Sequence, residues 1–382
     1  MRRWFPEGSH AMRRVLHLVG ALEDNGGILS TIRGVASHGE AMGWEHLTWM
    51  RRGFVQVRSP RLEVVESRFA LGESSSHLRL LISAACAWPG LRRWVRRRSI
   101  DVVHGHSRGA LLLSSWMARS GWPSVFTNHA YARRTEMYRR VADTPGLTTI
   151  LLTPNQARHY GMGGVAGVEL VSECGADRFF EVPLGEPGTS WGGQVRLVGV
   201  GNLVRWKRWD LLVEAVALLP AELRRRVRAT VWGPVPDDAD ARLFAGELAG
   251  LVAARGLKGQ VDFPGATGDI EGVLAGSDLF VLPSTNEPCS VALIEAMAMG
   301  LPAVVSASGG NVDIVRDGVT GLLFRPGDAG DLSRRLEDVL RGRARMAGGA
   351  EIRQSVAWRC ARAVAARHGE VYGRLVRARA HG

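Results

Sequence analysis

The sequence predicts an α/β chain built as two doubly wound, mostly parallel sheets. Three observations carry this. Short apolar runs with strand character alternate with helix-period segments through the first half. A Gly- and Pro-rich stretch, FFEVPLGEPGTSWGGQ from Phe179 to Gln194, then breaks the pattern. After it the same alternation restarts at Val195.

The elements follow in order. Residues 1–11 read as a tag or disordered leader: they carry the GSH of a GSH-x-M string that reads as a cloning scar, and MRRWFPEGSHAM has no apolar core of a secretory signal. The first domain is placed at residues 12–180. Val15–Leu22 is a strand that leads through EDNGG into a helix from Ile28 to about Met42. Gly26 and Gly27 let the backbone turn tightly and approach a ligand. WEHLTWM and LEVVES are strands. His77 to Arg98 is helical and interrupted by Pro89. Its end mixes Trp88 and Trp94 with Arg92, Arg93, Arg96, Arg97 and Arg98. That mixture suits either an anionic membrane surface or a solvated helix end. Asp101–Ser107 is a strand ending in His104 and His106, and Pro123–Ala130 is one ending in Thr127, Asn128 and His129. Polar residues at the carboxyl ends of parallel strands are where open α/β sheets hold ligands. His-x-His without nearby carboxylates or cysteines makes no case for a metal, and none is expected. Thr148–Pro154 closes the strands of this half.

Residues 181–194 are read as the linker and 195–355 as the second domain. VRLVGVG is its first strand, followed by NLVRWKR and a helix at Trp209–Leu219. VRATVWG, QVDFPG and TGLLFRPGD are further strands, with helices at Ala239–Gly256 and DLSRRLEDVL. Residues 356–382, part of a helical stretch from about Glu351 to Arg379, are expected to return to the first domain.

With 382 residues and 46% hydrophobic side chains, ordinary cores can be filled, and no apolar run reaches membrane-spanning length. The net charge of +12 comes almost wholly from arginine, since Lys207 and Lys258 are the only lysines. It fits an anionic partner, but no aromatic-basic string points to nucleic acid. Cys86, Cys174, Cys289 and Cys360 are too scattered for a disulfide framework or zinc spacing. The expected place is a reducing cytoplasm, with the inner face of the membrane as the surface the Trp/Arg helix would contact.

The second half is organised around Asp278–Ser306, DLFVLPSTNEPCSVALIEAMAMGLPAVVS. It reads as strand, loop, helix, turn, strand. Ser290 stands at the N-cap of VALIEAMAM, and Gly300 and Pro302 end that helix. The first free amides form an anion site. Glu287 and Glu295, eight positions apart, frame it. Amides for a diphosphate and carboxylates for sugar hydroxyls suit a nucleotide sugar.

Together with NLVRWK, these motifs make the chain resemble the retaining glycosyltransferases of family 4, whose GT-B fold pairs two Rossmann-like domains across a cleft. The match extends to Gly26-Gly27, DVVHGHS, TNH, GAD-RF, VDFPG, GGNVDIV and GxTGLLF. The resemblance implies transfer of a sugar from a nucleotide-diphosphate sugar to a hydroxyl acceptor, with retention and without a divalent metal or other cofactor. A UDP- or GDP-linked donor is expected ahead of an ADP-linked one, on a glycan, lipid-linked or small-molecule acceptor. By the same resemblance Lys207 binds the donor phosphates, Glu287 the sugar, and Glu295 the ribose. Ser290, Val291 and Ala292 offer backbone amides to the diphosphate, and Phe263 lies where the base is read. Gly26 and Gly27 close on the phosphates, and His129 lies beside the donor sugar. His104 and His106 line the cleft. The arginine usual five residues before the lysine is Asn202 here, and Arg205 is the nearest residue to replace its charge. The alternative is a GT-B epimerase or phosphorylase-like enzyme.

Overall fold

The computed structural model describes residues 12–381, except residues 22, 69–70, 72–75 and 185–192. Residues 1–11 and most of the expected linker therefore lie outside the described residues. The chain divides into two compact units: Met1–Leu152, Tyr160–Val171 and Ala361–Gly382 form unit 1, and Thr153–His159 with Ser172–Cys360 form unit 2.

Unit 1 holds a fully parallel seven-stranded sheet of order β3-β2-β1-β4-β5-β6-β7. Its strands are β1 (Arg13–Leu18), β2 (Trp44–Arg51), β3 (Glu63–Ser67), β4 (Val102–Gly105), β5 (Ser124–Asn128), β6 (Leu147–Leu151) and β7 (Val168–Leu170). The connecting helices are α1 (Gly26–Ser37), α2 (His77–Arg97), α3 (Arg108–Arg119), α4 (Glu136–Ala142) and α5 (Pro154–Tyr160), the last of which spans a unit boundary. Strand alternation sorts the two faces. Leu16, Leu18, Leu47, Trp49 and Val103 pack on Ala84, Ala87, Leu91 and Val95 of α2 and on Ala110, Leu113 and Met117 of α3. The intervening positions, His17, His46 and His104, face the other way.

Unit 2 repeats the plan with six parallel strands in the order β10-β9-β8-β11-β12-β13. Its elements are α6 (Asp177–Glu181), β8 (Val195–Val200), α7 (Trp209–Leu218), α8 (Ala221–Arg224), β9 (Val227–Trp232), α9 (Ala239–Ala254) and β10 (Val261–Gly265). They continue with α10 (Ile270–Ala275), β11 (Leu279–Leu282), α11 (Val291–Ala298), β12 (Ala303–Ser306), α12 (Asn311–Ile314), β13 (Gly321–Phe324), α13 (Ala329–Leu340) and α14 (Gly349–Val356). A final helix, α15 (Ala361–His381), packs against α1 and β4 within unit 1.

Several boundaries differ from the sequence reading. Pro89 does not interrupt α2: it lies on the exposed side, where solvent can satisfy the freed carbonyl, and the buried stripe Ala84, Ala87, Leu91, Val95 continues across it. Helix α1 stops at Ser37, and a single 3-10 turn at Glu40–Met42 follows. The stretch from Glu351 is two helices. Between them Cys360 is extended and bridges Gly175, while the buried Arg359 side chain holds the carbonyl of Asp313. That same bridge draws Ser172–Glu181 into unit 2, ahead of the anticipated linker.

Candidate active site

Each sheet changes direction once, between β1 and β4 in unit 1 and between β8 and β11 in unit 2. Crevices at such points, beyond the carboxyl ends of the strands, are where open α/β sheets hold ligands.

In unit 2 the strand end at β8 runs into Gly201. Its φ of +156° suits only glycine, and a Cβ there would lie 3.3 Å from Lys207 Cε. Asn202 follows, its carbonyl accepting from the Trp209 indole N–H at 3.1 Å. A short 3-10 turn, Arg205–Lys207, then delivers the lysine. Lys207 Nζ donates to Glu287 Oε2 at 2.6 Å and lies 4.4 Å from the Trp206 ring centroid. Both partners are buried, at 8% and 5% exposure. A buried pair of this kind is held only where geometry is good, because both charges have left water.

The turn that carries Glu287 is braced from several sides. Asn286 takes a left-handed φ of 55°, and its N–H donates to Ser308 Oγ at 2.9 Å. The Gly310 N–H donates to the Glu287 carbonyl at 2.7 Å. A Cβ on Gly309 would lie 2.2 Å from that same carbonyl oxygen, so the chain passes here only as glycine. Beneath, Ser306 Oγ donates to the Ser284 carbonyl, and the amide of buried Asn311 donates to the Ser306 carbonyl at 3.2 Å. Ser290 caps α11 by accepting from Leu293 N–H at 3.2 Å, which leaves the helix start formed at Val291 and Ala292. Glu295 lies one turn further on, its Cγ against Gly175. Phe263 sits half-buried in β10. Lys207, Glu287 and the α11 start thus come together. Arg205 points its guanidinium at α9 instead: Nε donates to Asp240 at 2.7 Å, and the two terminal nitrogens donate to Glu247 at 2.7 and 2.8 Å.

In unit 1, Gly26 and Gly27 are the first residues of α1 rather than a turn before it, with Gly26 at a φ of +79°. Buried Asp24 fixes this start. It accepts from Arg33 at 2.6 Å, from Arg58 Nε at 3.2 Å, and from the N–H groups of Val57 and Arg58 at 2.8 Å. Burial pushes its carboxyl up, but these donors outweigh burial and hold it below the usual carboxylate range.

His129, just past β5, is half-buried. His104 and His106 do not line a cleft: they are 0% and 5% exposed. His104 binds Tyr372 Oη and Thr127 Oγ1, each at 2.7 Å. His106 lies between His17 at 2.9 Å and His129 at 3.0 Å, and His17 reaches His46 at 2.8 Å. Burial first, and neighbouring rings second, hold His17, His104 and His106 well below the usual imidazole range and His46 at about 3. Ring nitrogens of His17, His104 and His106 lie within 4.8 Å of one another. All six nitrogens have hydrogen-bond partners, however, so the cluster is a hydrogen-bonded one.

The Trp/Arg helix end turns its rings inward. Trp94 meets Trp49 edge-on at 6.0 Å, and Trp88 meets Trp116 at 5.7 Å. Arg92, Arg93, Arg96 and Arg97 remain exposed, as do Leu78, Leu81 and Ile82 nearer the helix start. Among the described residues no helix is long and apolar enough to cross a membrane.

Sequence reasoning missed Asp24, His17, His46 and the bracing role of Gly309 and Gly310. A buried acid after a strand and histidines at inward strand positions were the available signals.

Comparison with known proteins gives two family matches: "Glycosyl transferases group 1" over residues 190–353 and "Glycosyltransferase Family 4" over residues 25–156. A D-inositol 3-phosphate glycosyltransferase of Stackebrandtia nassauensis is 30% identical over 286 residues, which is 65% of this chain and 63% of that one. A lipopolysaccharide core biosynthesis glycosyltransferase, LpsE, of Rhizobium meliloti is 29% identical over 215 residues, 56% of each chain. The matched region thus spans about three fifths of the curated relatives' length. Among solved structures, a sucrose-phosphate synthase from Thermosynechococcus elongatus superposes with a TM-score of 0.78 at 19% identity, over 96% of this chain and all of that one. Anabaena HepE in complex with UDP superposes with a TM-score of 0.65 at 19% identity, over 96% and 98%. Both likenesses show the fold, GT-B.

Proposed function

Because the chain belongs to the family 4 type of glycosyltransferases, we infer that it moves a sugar from a nucleotide-diphosphate sugar to a hydroxyl acceptor. Configuration is retained and no divalent metal takes part. The observation that carries this reading is the buried contact between Lys207 and Glu287 at the switch point of unit 2. Departure of a diphosphate builds negative charge that fixed cations and amides must stabilise. Lys207 supplies the cation, and the α11 start at Ser290, Val291 and Ala292 supplies amides. Glu287 then exchanges its partner: when Lys207 turns to phosphate, the carboxylate is released to accept sugar hydroxyls. Glu295 accepts the ribose hydroxyls and Phe263 lies beside the base.

Asn202 offers no charge, so Arg205 is the second cation. Its pairs with Asp240 and Glu247 are exposed, and exposed pairs are held weakly, so exchanging them for a diphosphate costs little. The acceptor falls to unit 1, and the family resemblance assigns Gly26 and Gly27 to the donor phosphates and His129 to the donor sugar. UDP in a structural neighbour supports a UDP-linked donor ahead of others.

A thermal-shift series with UDP-, GDP- and ADP-sugars tests the donor. Stabilisation grows with ligand concentration over its dissociation constant, so the true donor separates from its relatives. The reading fails if no nucleotide sugar stabilises the chain. Turnover undiminished in EDTA and an α-linked product from an α-linked donor test the other two points. A lipid-linked acceptor at a cytoplasmic membrane face is the fuller reading of the exposed arginine row and of Leu78, Leu81 and Ile82 on α2. Flotation with anionic vesicles at low salt is expected to lift the protein, and Leu81→Ser with Ile82→Ser is expected to leave it at the bottom. No lift of the unmodified chain removes the membrane from the proposal.

A further inference from the structure

Four histidines of unit 1 join head to tail. His46 Nδ1 faces His17 Nε2 at 2.8 Å, His17 Nδ1 faces His106 Nε2 at 2.9 Å, and His106 Nδ1 faces His129 Nε2 at 3.0 Å. Every contact pairs an Nδ1 with an Nε2. The row follows from the sheet: His46 lies on β2, His17 on β1, and His106 and His129 directly after β4 and β5, four adjacent strands.

A neutral imidazole carries one N–H and one lone pair. In a chain of this pattern each bond needs one of each. Either all four rings carry hydrogen on Nδ1, or all four carry it on Nε2. Any mixture sets two N–H groups, or two lone pairs, against each other at some contact, which burial makes costly. A doubly protonated ring would donate at both its contacts and give the rings on its two sides opposite senses, and burial opposes that extra charge.

We propose that His46, His17 and His106 form a tautomer lock that fixes which nitrogen of His129 carries its proton. They are positioning residues: His129 must share the sense of the row through the two buried rings of His17 and His106. At the far end the His46 ring packs close to the Gly39 backbone, where a Cβ would lie 2.5 Å from His46 Cδ2. His104 stands outside the chain. Its two nitrogens are taken by Tyr372 and Thr127, and its ring packs on that of His106 at 4.1 Å, tilted by 32°. The value of the lock for the reaction rests on the proposed placement of His129 beside the donor sugar. A ring that offers a fixed donor or a fixed acceptor distinguishes hydroxyl geometries that a freely switching ring would not.

The test is a long-range proton–nitrogen NMR spectrum of the full chain labelled with 15N-histidine, at neutral pH. His46, His17, His106 and His129 are expected in one shared tautomer. Mixed tautomers among them overturn the lock. So does one equivalent of zinc displacing the signals of His17, His104 and His106 together, which would make the cluster a metal site. His17→Phe, which cuts the chain, is expected to give His129 both tautomers. Tyr372→Phe, which leaves the chain whole, is expected to leave His129 in one. An unchanged His129 in His17→Phe overturns the proposal. If the spectra behave as expected, kcat should fall about tenfold in His17→Phe with the donor KM within about twofold. An unchanged kcat would leave the lock standing and remove His129 from the proposed transfer. The wild-type spectrum stands by itself should the variant fail to fold.

Discussion

The two units share a topology and differ in how they handle buried polarity. Unit 2 buries opposite charges, Lys207 against Glu287, at its switch point. Unit 1 buries the neutral rings of His17, His46, His104 and His106, and its buried acid, Asp24, pairs with Arg33 and Arg58. A sheet carboxyl edge is therefore an open socket whose chemistry is set by a handful of side chains. Charges suit a diphosphate, which is itself charged and can replace one partner of the pair. Neutral rings suit hydroxyls, which need direction rather than charge.

Breaking the pair in unit 2 should have the largest effect. Lys207→Met leaves a buried carboxylate alone, which is expected to cost about 3–5 kcal/mol of stability and at least about 10²–10³ in kcat. Glu287→Gln in the same chain should restore most of the melting temperature and none of the turnover. Calorimetry and donor hydrolysis on the single and double variants read the two effects separately. A double variant that remained as unstable as the single one would mean that Lys207 is held by something other than Glu287.

Acid should separate the units. A histidine whose folded pKa is depressed contributes stability above its unfolded pKa, near 6.5, and loses it as pH falls toward the folded value. For His46, held at about 3, the loss between pH 7.5 and 5.5 is on the order of 1 kcal/mol by linkage. His17, His104 and His106 shift in the same direction and add to it. Hydrogen exchange at pH 5.5 should therefore open β1, β2 and β4 well before β8 and β11. Equal protection in both sheets would contradict the neutral-ring account of unit 1.

What could be read from the sequence divides along the same line. The strand, capped helix and glutamates of Asp278–Ser306 were legible because each uses local chemistry: Ser290 as an N-cap, Gly300 as a stop, Glu287 before a proline. The contact between Lys207 and Glu287 was not, since 80 residues separate them. In unit 1, Val15–Leu22 was legible as a strand by its apolar run. The partners of His17 were not, because strand order alone brings β2 and β4 to either side of β1. Pro89 misled because a proline signals a break by sequence, whereas its position on the exposed side of α2 makes it harmless. Long-range polar partnerships in a parallel sheet depend on strand order, and strand order is a property of the packed chain.

The smallest effect belongs to Arg205, and it decides whether unit 2 uses one cation or two. Its guanidinium is bound by Asp240 and Glu247 and lies 5.3 Å from the Phe244 ring, all on α9. If it only ties the 3-10 turn to α9, Arg205→Ala removes exposed, solvent-screened pairs and leaves donor binding alone. If it turns to the diphosphate, the same change loses a charge-assisted contact, read as roughly a tenfold or greater rise in donor KM. The second outcome is expected, because Asn202 leaves Lys207 as the sole cation on this turn that already faces the carboxylate to be displaced. The rise should shrink at high salt, since an exposed guanidinium is screened where the buried ammonium of Lys207 is not. A donor KM within twofold of the unmodified chain would assign Arg205 to the scaffold and the whole phosphate charge to Lys207 and the start of α11.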